Sequence, residues 1–314
     1  MGITFESLQR MEKLALLKPK CKVLDIGSSN LYSASSENIV AFLEKYAPAA
    51  PDIESFAKRL AAGSSYDPVH GGLNGAFVGE LLEKAGMVYS AFDIADGYRT
   101  TILDLNHARL PGNLRGYFDL VLNFGTTEHI LNQFNCFKVM HDATKLGGHI
   151  FHSLPALGYV DHGYITYTGR CLFDIAGYNE YEVVEFWFEG PAGRNNLYDS
   201  VRSYRSYFPA LERTLAQIGH SENINALNEL AIPDVSINII YRKVKEKPFW
   251  GALESSTSVG TIPGQVTDNY SGDAPNASKV QQAKPSLKYR ISRALEPYPA
   301  LKGIARKAYR ALLR

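Results

Sequence analysis

The chain reads as an α/β protein: a three-layer sandwich built on a mostly parallel seven-stranded sheet with an antiparallel edge. Three observations predict this. Apolar runs near 21–27, 87–94, 117–123 and 148–154 alternate with segments of helical periodicity, the pattern of a parallel sheet covered on both faces. Two of those runs end in a polar residue and a glycine turn, Asp25-Ile26-Gly27 and Asn123-Phe124-Gly125. Two late strands, 181–188 and 235–243, follow without a long crossover into a further unit, which suits an antiparallel edge.

The elements follow in order. Phe5, Leu8, Met11, Leu14 and Ala15 share helical spacing and stop near Pro19. The first buried strand is 21–27. Residues 37–63 predict two helical pieces, broken at Ala47-Pro48-Ala49-Ala50-Pro51, and 64–75 a Gly/Ser/Asn loop. A helix from Phe77 to Lys84 precedes the second strand, Met87–Ile94, and a short third strand spans Thr101–Asp104. Tyr117–Asn123 is the clearest buried strand. A helix over 133–145 ends at Gly147-Gly148, and Gly148–Leu154 is a fifth strand stopped at Pro155. Helical patterns recur at 170–177 and 203–218.

Composition sets outer bounds. The 314 residues are 45% hydrophobic and 21% charged, ordinary for a globular protein with a large core. Cys21, Cys136 and Cys171 are far apart and form no Cys-x-x-Cys pair, so neither a zinc site nor a disulfide framework is expected. These cysteines suit a reducing, cytoplasmic setting, and the basic tail at 286–314 suits a peripheral place at the inner face of a membrane; no secretory leader pattern and no apolar run of about 18 residues is read. Metal ligation is not expected, because no His-x-x-x-His pair falls on one helix.

Charge is unevenly spread. Residues 284–314 hold nine Lys or Arg against one acid, Glu296, while the rest of the chain holds 24 basic and 31 acidic residues. Residues 251–285 are rich in Ser, Thr, Gly, Pro, Asn and Gln and read as a disordered linker. Residues 286–314 then predict a basic amphipathic helical tail, with Leu301, Ile304, Ala305, Ala308 and Leu312 on its apolar face. Such a tail suits an anionic membrane surface or a partner protein. Nucleic acid is disfavoured, because the acidic body would repel phosphates.

Ligands of open parallel sheets bind at the carboxyl ends of the strands. Four ends carry polar residues here: Asp25 and Gly27, Asp93, Asp104, then Asn123 and Gly125. A carboxylate at the first turn would repel a phosphate but suits an amino group or hydroxyl donors. The Gly-x-Gly-x-x-Gly that seats a pyrophosphate is missing. A cationic, sugar-bearing cofactor without phosphates is therefore favoured over a dinucleotide.

Over roughly residues 20–245 the chain resembles the class I S-adenosylmethionine-dependent methyltransferases, in their bacterial small-molecule and glycan O-methyltransferase branch. The resemblance rests on Val23-Leu24-Asp25-Ile26-Gly27, Ala91-Phe92-Asp93, Leu103-Asp104-Leu105-Asn106 and Phe118–Asn123 followed by Glu128-His129. It departs at Gly27-Ser28-Ser29, where the family reads Gly-x-Gly, and in a gap of about 60 residues between the first two strands. That insertion, about 31–85, is expected to build a lid or part of the acceptor pocket.

The resemblance implies a Rossmann-like methyltransferase domain over 1–250 and a set of roles. Asp25 would lie beneath the methionine ammonium, with Gly27, Ser28 and Asn30 lining the turn. Asp93 would take the ribose hydroxyls, Asp104 and the Leu105 amide the adenine, and Asn123 and Phe124 the methionine end. A hydroxyl acceptor also benefits from a general base, and the candidates are His129, His152 and His162. The polar run from His152 to Tyr164 would suit a sugar or polyol acceptor, and a phenol would fit as well. Other readings stay open: a cofactor-binding scaffold without catalysis, and a nicotinamide oxidoreductase. Asp119 reads as structural, and His141-Asp142 as a solvated helix face.

Overall fold

The computed structural model describes residues 2–65, 74–159, 162–189, 197–198 and 234–252. The helix expected at 203–218, nearly all of the linker and the basic tail lie outside the described residues.

The main sheet is built from β2 (Lys22–Ile26), β4 (Val88–Asp93), β5 (Thr100–Ile102), β6 (Phe118–Phe124), β7 (Thr144–Leu157), β8 (Glu182–Glu189), β9 (Leu197–Tyr198) and β10 (Val235–Arg242). Their spatial order is β5-β4-β2-β6-β7-β10-β8-β9. The first five pair in parallel, and β10 runs antiparallel between β7 and β8. The chain starts in the middle at β2, winds out to β5 and returns to β6. The switch point is thus between β2 and β6, where a Rossmann-like sheet opens a crevice at its carboxyl edge.

Side-chain alternation along each strand separates two cores. Val23, Tyr89, Ala91, Leu120, Leu122 and Phe151 face α1 (Phe5–Lys13), α2 (Ser36–Tyr46), α3 (Ile53–Gly63) and α4 (Val78–Lys84). Leu24, Ile26, Phe92, Val121, Ile150 and Ile239 face α5 (Gln133–Ala143) and α6 (Gly169–Tyr178). The insertion therefore supplies a helical layer: Ile39, Phe42, Leu43, Ala57 and Leu60 are all in the first core.

Three features depart from the sequence expectation. A second, two-stranded parallel sheet joins β1 (Gly2–Thr4) to β3 (Asn30–Tyr32); strands of three residues carry too little pattern to be seen. β7 does not stop at Pro155. A register shift in β10 between Val235 and Ser236 lets the strand pass the residue that has no N–H to give, and the Pro155 carbonyl instead accepts from Tyr167 N–H at 2.8 Å. His141-Asp142 is not a solvated face. His141 is fully buried, with Nδ1 2.6 Å from the Tyr181 hydroxyl and Nε2 2.7 Å from the Lys247 carbonyl. Beside it the buried Lys243 ammonium donates to the carbonyls of His141 and Thr144, each at 3.1 Å, closing the C-terminal end of α5.

Asp119 lies at the opposite edge of the sheet from the crevice. Its carboxylate accepts the Lys22 N–H at 2.8 Å and pairs with Lys145, so it ties β2, β6 and β7 together. Among the described residues no helix is long and apolar enough to cross a membrane.

Candidate active site at the carboxyl edge of the sheet

The turn after β2 is stitched to its neighbours through the strand ends. Gly27 takes a positive φ of 94° and donates its N–H to the Phe92 carbonyl at 2.7 Å. Ser28 N–H donates to Asp93 Oδ2 at 2.9 Å, and the other oxygen of Asp93 accepts Ala95 N–H at 3.0 Å. Thr126, just past β6, donates its hydroxyl to the Ile26 carbonyl. Gly97 closes in from the far side: a Cβ there would lie 2.4 Å from Ser28 Oγ, so only glycine lets the two loops meet.

Asp25 is fully buried beneath this turn. Oδ2 accepts Ser29 N–H at 2.9 Å and the Tyr89 hydroxyl at 2.7 Å, and Oδ1 accepts the Ser29 hydroxyl at 3.1 Å. Burial outweighs these three donors and pushes its carboxyl up to about 7. Both oxygens accept hydrogen bonds from the protein, so Asp25 shapes the turn over which the resemblance places a ligand ammonium.

The remaining predicted residues divide clearly. Asp104 is exposed beyond β5 and accepts Asn106 N–H at 2.8 Å. Leu105 is buried in the second core and Phe124 in the first. Asn30 is turned inward, its amide donating to the carbonyls of Asn74 (3.1 Å) and Ala76 (3.2 Å); it pins the loop before α4 rather than the ligand turn. Asn123 is fully buried at the end of β6. Its amide N–H groups reach Thr127 Oγ1 and His152 Nδ1, each at 3.0 Å, while its Oδ1 has no partner.

Of the three histidines, His152 differs most from expectation. Strand alternation points it into the second core between Phe137 and Tyr241, and it is fully buried. Desolvation lowers its pKa to about 3, so the imidazole is neutral, and its Nε2 has no partner. Its role is to orient Asn123. His129 and His162 instead stand together, ring centroids 5.0 Å apart and both partly exposed, next to the same oxygen of Glu128. His129 is lowered by burial and by the neighbouring His162.

Glu128 enters the sequence reading only beside His129 in the family resemblance, with no site role of its own. It is 1% exposed, with Oε1 3.6 Å from His162 Nε2 and 4.0 Å from His129 Nε2. Burial pushes its carboxyl up to about 7, and Oε2 has no partner. Glu128 and His162 line a cavity of about 200 Å³ with Ser153, Tyr159 and Ser236, whose hydroxyls at 159 and 236 lie 2.8 Å apart. A larger cavity of about 330 Å³, between α5, α6 and Phe249, is apolar and contains none of the strand-end polar residues. Ile94 and Ile102, missed as well, leave apolar surface open next to Asp93, which pairs with Ile102 in the sheet.

No protein-family model matches the chain, and no curated protein matches it. Solved structures of similar shape include a SAM-dependent methyltransferase from Archaeoglobus fulgidus (16% identity, TM-score 0.39, covering 76% of this chain and 94% of that one). They also include Haemonchus contortus phosphoethanolamine N-methyltransferase 2 in complex with S-adenosyl-L-methionine (14%, 0.39, 77% and 52%). A third is Burkholderia thailandensis 1,6-didemethyltoxoflavin-N1-methyltransferase (11%, 0.36, 75% and 75%). At such low identity and score, the functional reading rests on this chain's own residues.

Proposed function

We propose that the chain is an S-adenosylmethionine-dependent methyltransferase acting on a hydroxyl of a sugar, glycan or secondary-metabolite acceptor. The observation that carries the cofactor half is the orphaned Asn123 Oδ1, buried at the topological switch point beside a turn that has no phosphate cradle. A buried acceptor without a donor is costly, and a ligand N–H or O–H arriving at the strand ends would satisfy it. Asp93 and Asp104 offer carboxylates to ribose and adenine donors, and Ile94 and Ile102 an apolar surface for a flat base. When bound, this cofactor supplies a methyl group already activated by the sulfonium charge.

The chain's own work is then alignment and exclusion of water. The turn over Asp25 fixes where a ligand lies against the backbone of 27–29. The cavity next to Phe124 and Gly125 offers hydroxyls from Tyr159, Ser153 and Ser236 and an imidazole from His162, a polar lining that supports a polyol acceptor over an apolar one. His162 Nε2 and His129 Nε2 are the exposed atoms to receive the acceptor's proton. The basic 286–314 segment would hold the enzyme at an anionic surface. Sedimentation with anionic vesicles should fall for a chain ending near residue 250, and equal sedimentation refutes that part.

Calorimetry with S-adenosylmethionine and its demethylated product tests the central reading. Purified full-length protein should bind both, and Asp93→Ala should weaken both. Absence of binding to either would end the proposal. Turnover on a panel of sugar and phenolic acceptors then tests the acceptor class, and activity confined to amines would refute it.

A further inference from the structure

Glu128, His129 and His162 come together although His162 lies far along the chain from the other two. One ligand-type atom from each falls within 4.8 Å of both others. Two imidazoles and one carboxylate, of which Glu128 and His162 line the cavity, form a set that binds first-row divalent cations and leaves positions open for a further ligand. A cation holding its ligands at about 2.0–2.2 Å sets tetrahedral neighbours roughly 3.4 Å apart. The 3.6 Å from Glu128 Oε1 to His162 Nε2 is already close to that. The 4.0 Å to His129 Nε2 closes with a small turn of a side chain that is 39% exposed.

A second observation points the same way. Glu128 Oε2 is buried and has no partner, although the carbonyl of the same residue accepts N–H groups from Tyr164 and Ile165 at 2.9 and 3.2 Å. Those two bonds hold the 162–165 loop against Glu128 and deliver His162 to it. A buried carboxylate flanked by two imidazoles, with one oxygen unused, is poorly satisfied by the protein alone. A cation would satisfy it.

We propose that Glu128, His129 and His162 bind a divalent transition-metal cation of the Zn²⁺, Mn²⁺, Fe²⁺ or Co²⁺ class at the rim of the acceptor cavity. This reverses the sequence expectation of no metal. Because Glu128 and His162 also line the cavity, an acceptor oxygen would meet the cation there, and this role rests on the methyltransferase reading. Cation binding itself does not. With the cation bound, the two Nε2 atoms are its ligands and no longer receive the acceptor's proton.

The test uses full-length protein stripped with a chelator and titrated separately with Zn²⁺, Mn²⁺ and Co²⁺ by calorimetry, with the visible absorption of bound Co²⁺ as a second signal. One equivalent should bind. His129→Ala and His162→Ala should each weaken it at least about tenfold, and Glu128→Gln should weaken it while keeping the shape of the side chain. Both histidines are partly exposed, so the two variants should keep the native melting temperature. No binding of any of the three cations, or undiminished binding by the double histidine variant, overturns the proposal. Titration with S-adenosylmethionine in parallel separates the two ideas: cofactor binding without cation binding sinks only the metal site, and the reverse sinks only the proposed function.

Discussion

Replacing Asp25 by Asn should make the protein relatively more stable as pH rises. The carboxyl is fully buried and raised from 3.8 to about 7. A raised carboxyl pKa means the folded state holds its proton where the unfolded chain has lost it. Its stabilisation is complete below 3.8 and is lost as pH rises to about 7. Linkage across that window gives a loss of about 2.6 kcal/mol between pH 5 and pH 8 for the native protein. Asn cannot ionise. Its oxygen can keep the Ser29 N–H and Tyr89 hydroxyl bonds, and its amino group can donate to Ser29 Oγ, so the exchange at pH 5 should cost about 1 kcal/mol or less. Urea melts of both proteins at pH 5 and pH 8 measure the gap between them, in which every other titrating group cancels. The gap should move in favour of the variant by about 2–3 kcal/mol. A gap that does not change with pH would show that Asp25 ionises freely in the folded protein, and the argument from burial would fail.

Gly97→Ala should displace the Ser28 turn, because its Cβ would sit 2.4 Å from Ser28 Oγ and 2.6 Å from Ser28 Cβ. Affinity for S-adenosylmethionine should fall at least about tenfold in calorimetry with little change in melting temperature, and unchanged affinity would remove that turn from the site. His141 is lowered to about 4, mainly by burial and then by Lys243, with Asp142 and Glu246 opposing. A depressed histidine contributes stability above its free value of 6.5 that is lost as pH falls, so His141→Gln should gain about 2 kcal/mol on the native protein between pH 7 and pH 5. Denaturant melts that show a constant gap would refute this. Lys243→Met should cost about 2–4 kcal/mol in the same assay by leaving the His141 and Thr144 carbonyls without a donor; an unchanged midpoint would show that water replaces the ammonium.

The strands and their carboxyl ends were legible because period-two burial and polar strand ends leave marks in consecutive residues. Val23 and Leu24 face different cores, and the sequence around them already carries that alternation. What was not legible depends on residues far apart in the chain. Asn30 looked like part of the ligand turn because it follows Ser29, but its amide is spent on the carbonyls of 74 and 76 inside the insertion. His152 looked open because it ends an apolar run, yet β7 continues past Pro155 and leaves it in mid-strand. His141 looked solvated because a polar pair in a helix usually is; Tyr181 and Lys247, far along the chain, bury it. Glu128 was read only as a neighbour of His129, because its partner is His162 and nothing local announces that loop's return.

The two serines that depart from the family pattern are explained by the same bonds. A glycine-rich turn leaves its N–H groups free for a ligand. Here Ser29 gives both N–H and hydroxyl to Asp25, and Ser28 gives its N–H to Asp93. The serines thus tie the turn to two acids, and Asp25 becomes an internal anchor supported by Tyr89. Asn123 Oδ1 and Glu128 Oε2, both buried, are left without a partner. Asn123 stands near the end of β6 and Glu128 in the turn that follows, and Glu128 lines the 200 Å³ cavity. The protein's own bonds hold the turn after β2 in place, while two buried acceptors beyond it stay unsatisfied. Loss of Asn123 Oδ1 or Glu128 Oε2 should therefore reduce binding with little effect on the turn, and loss of Asp25 should do the opposite.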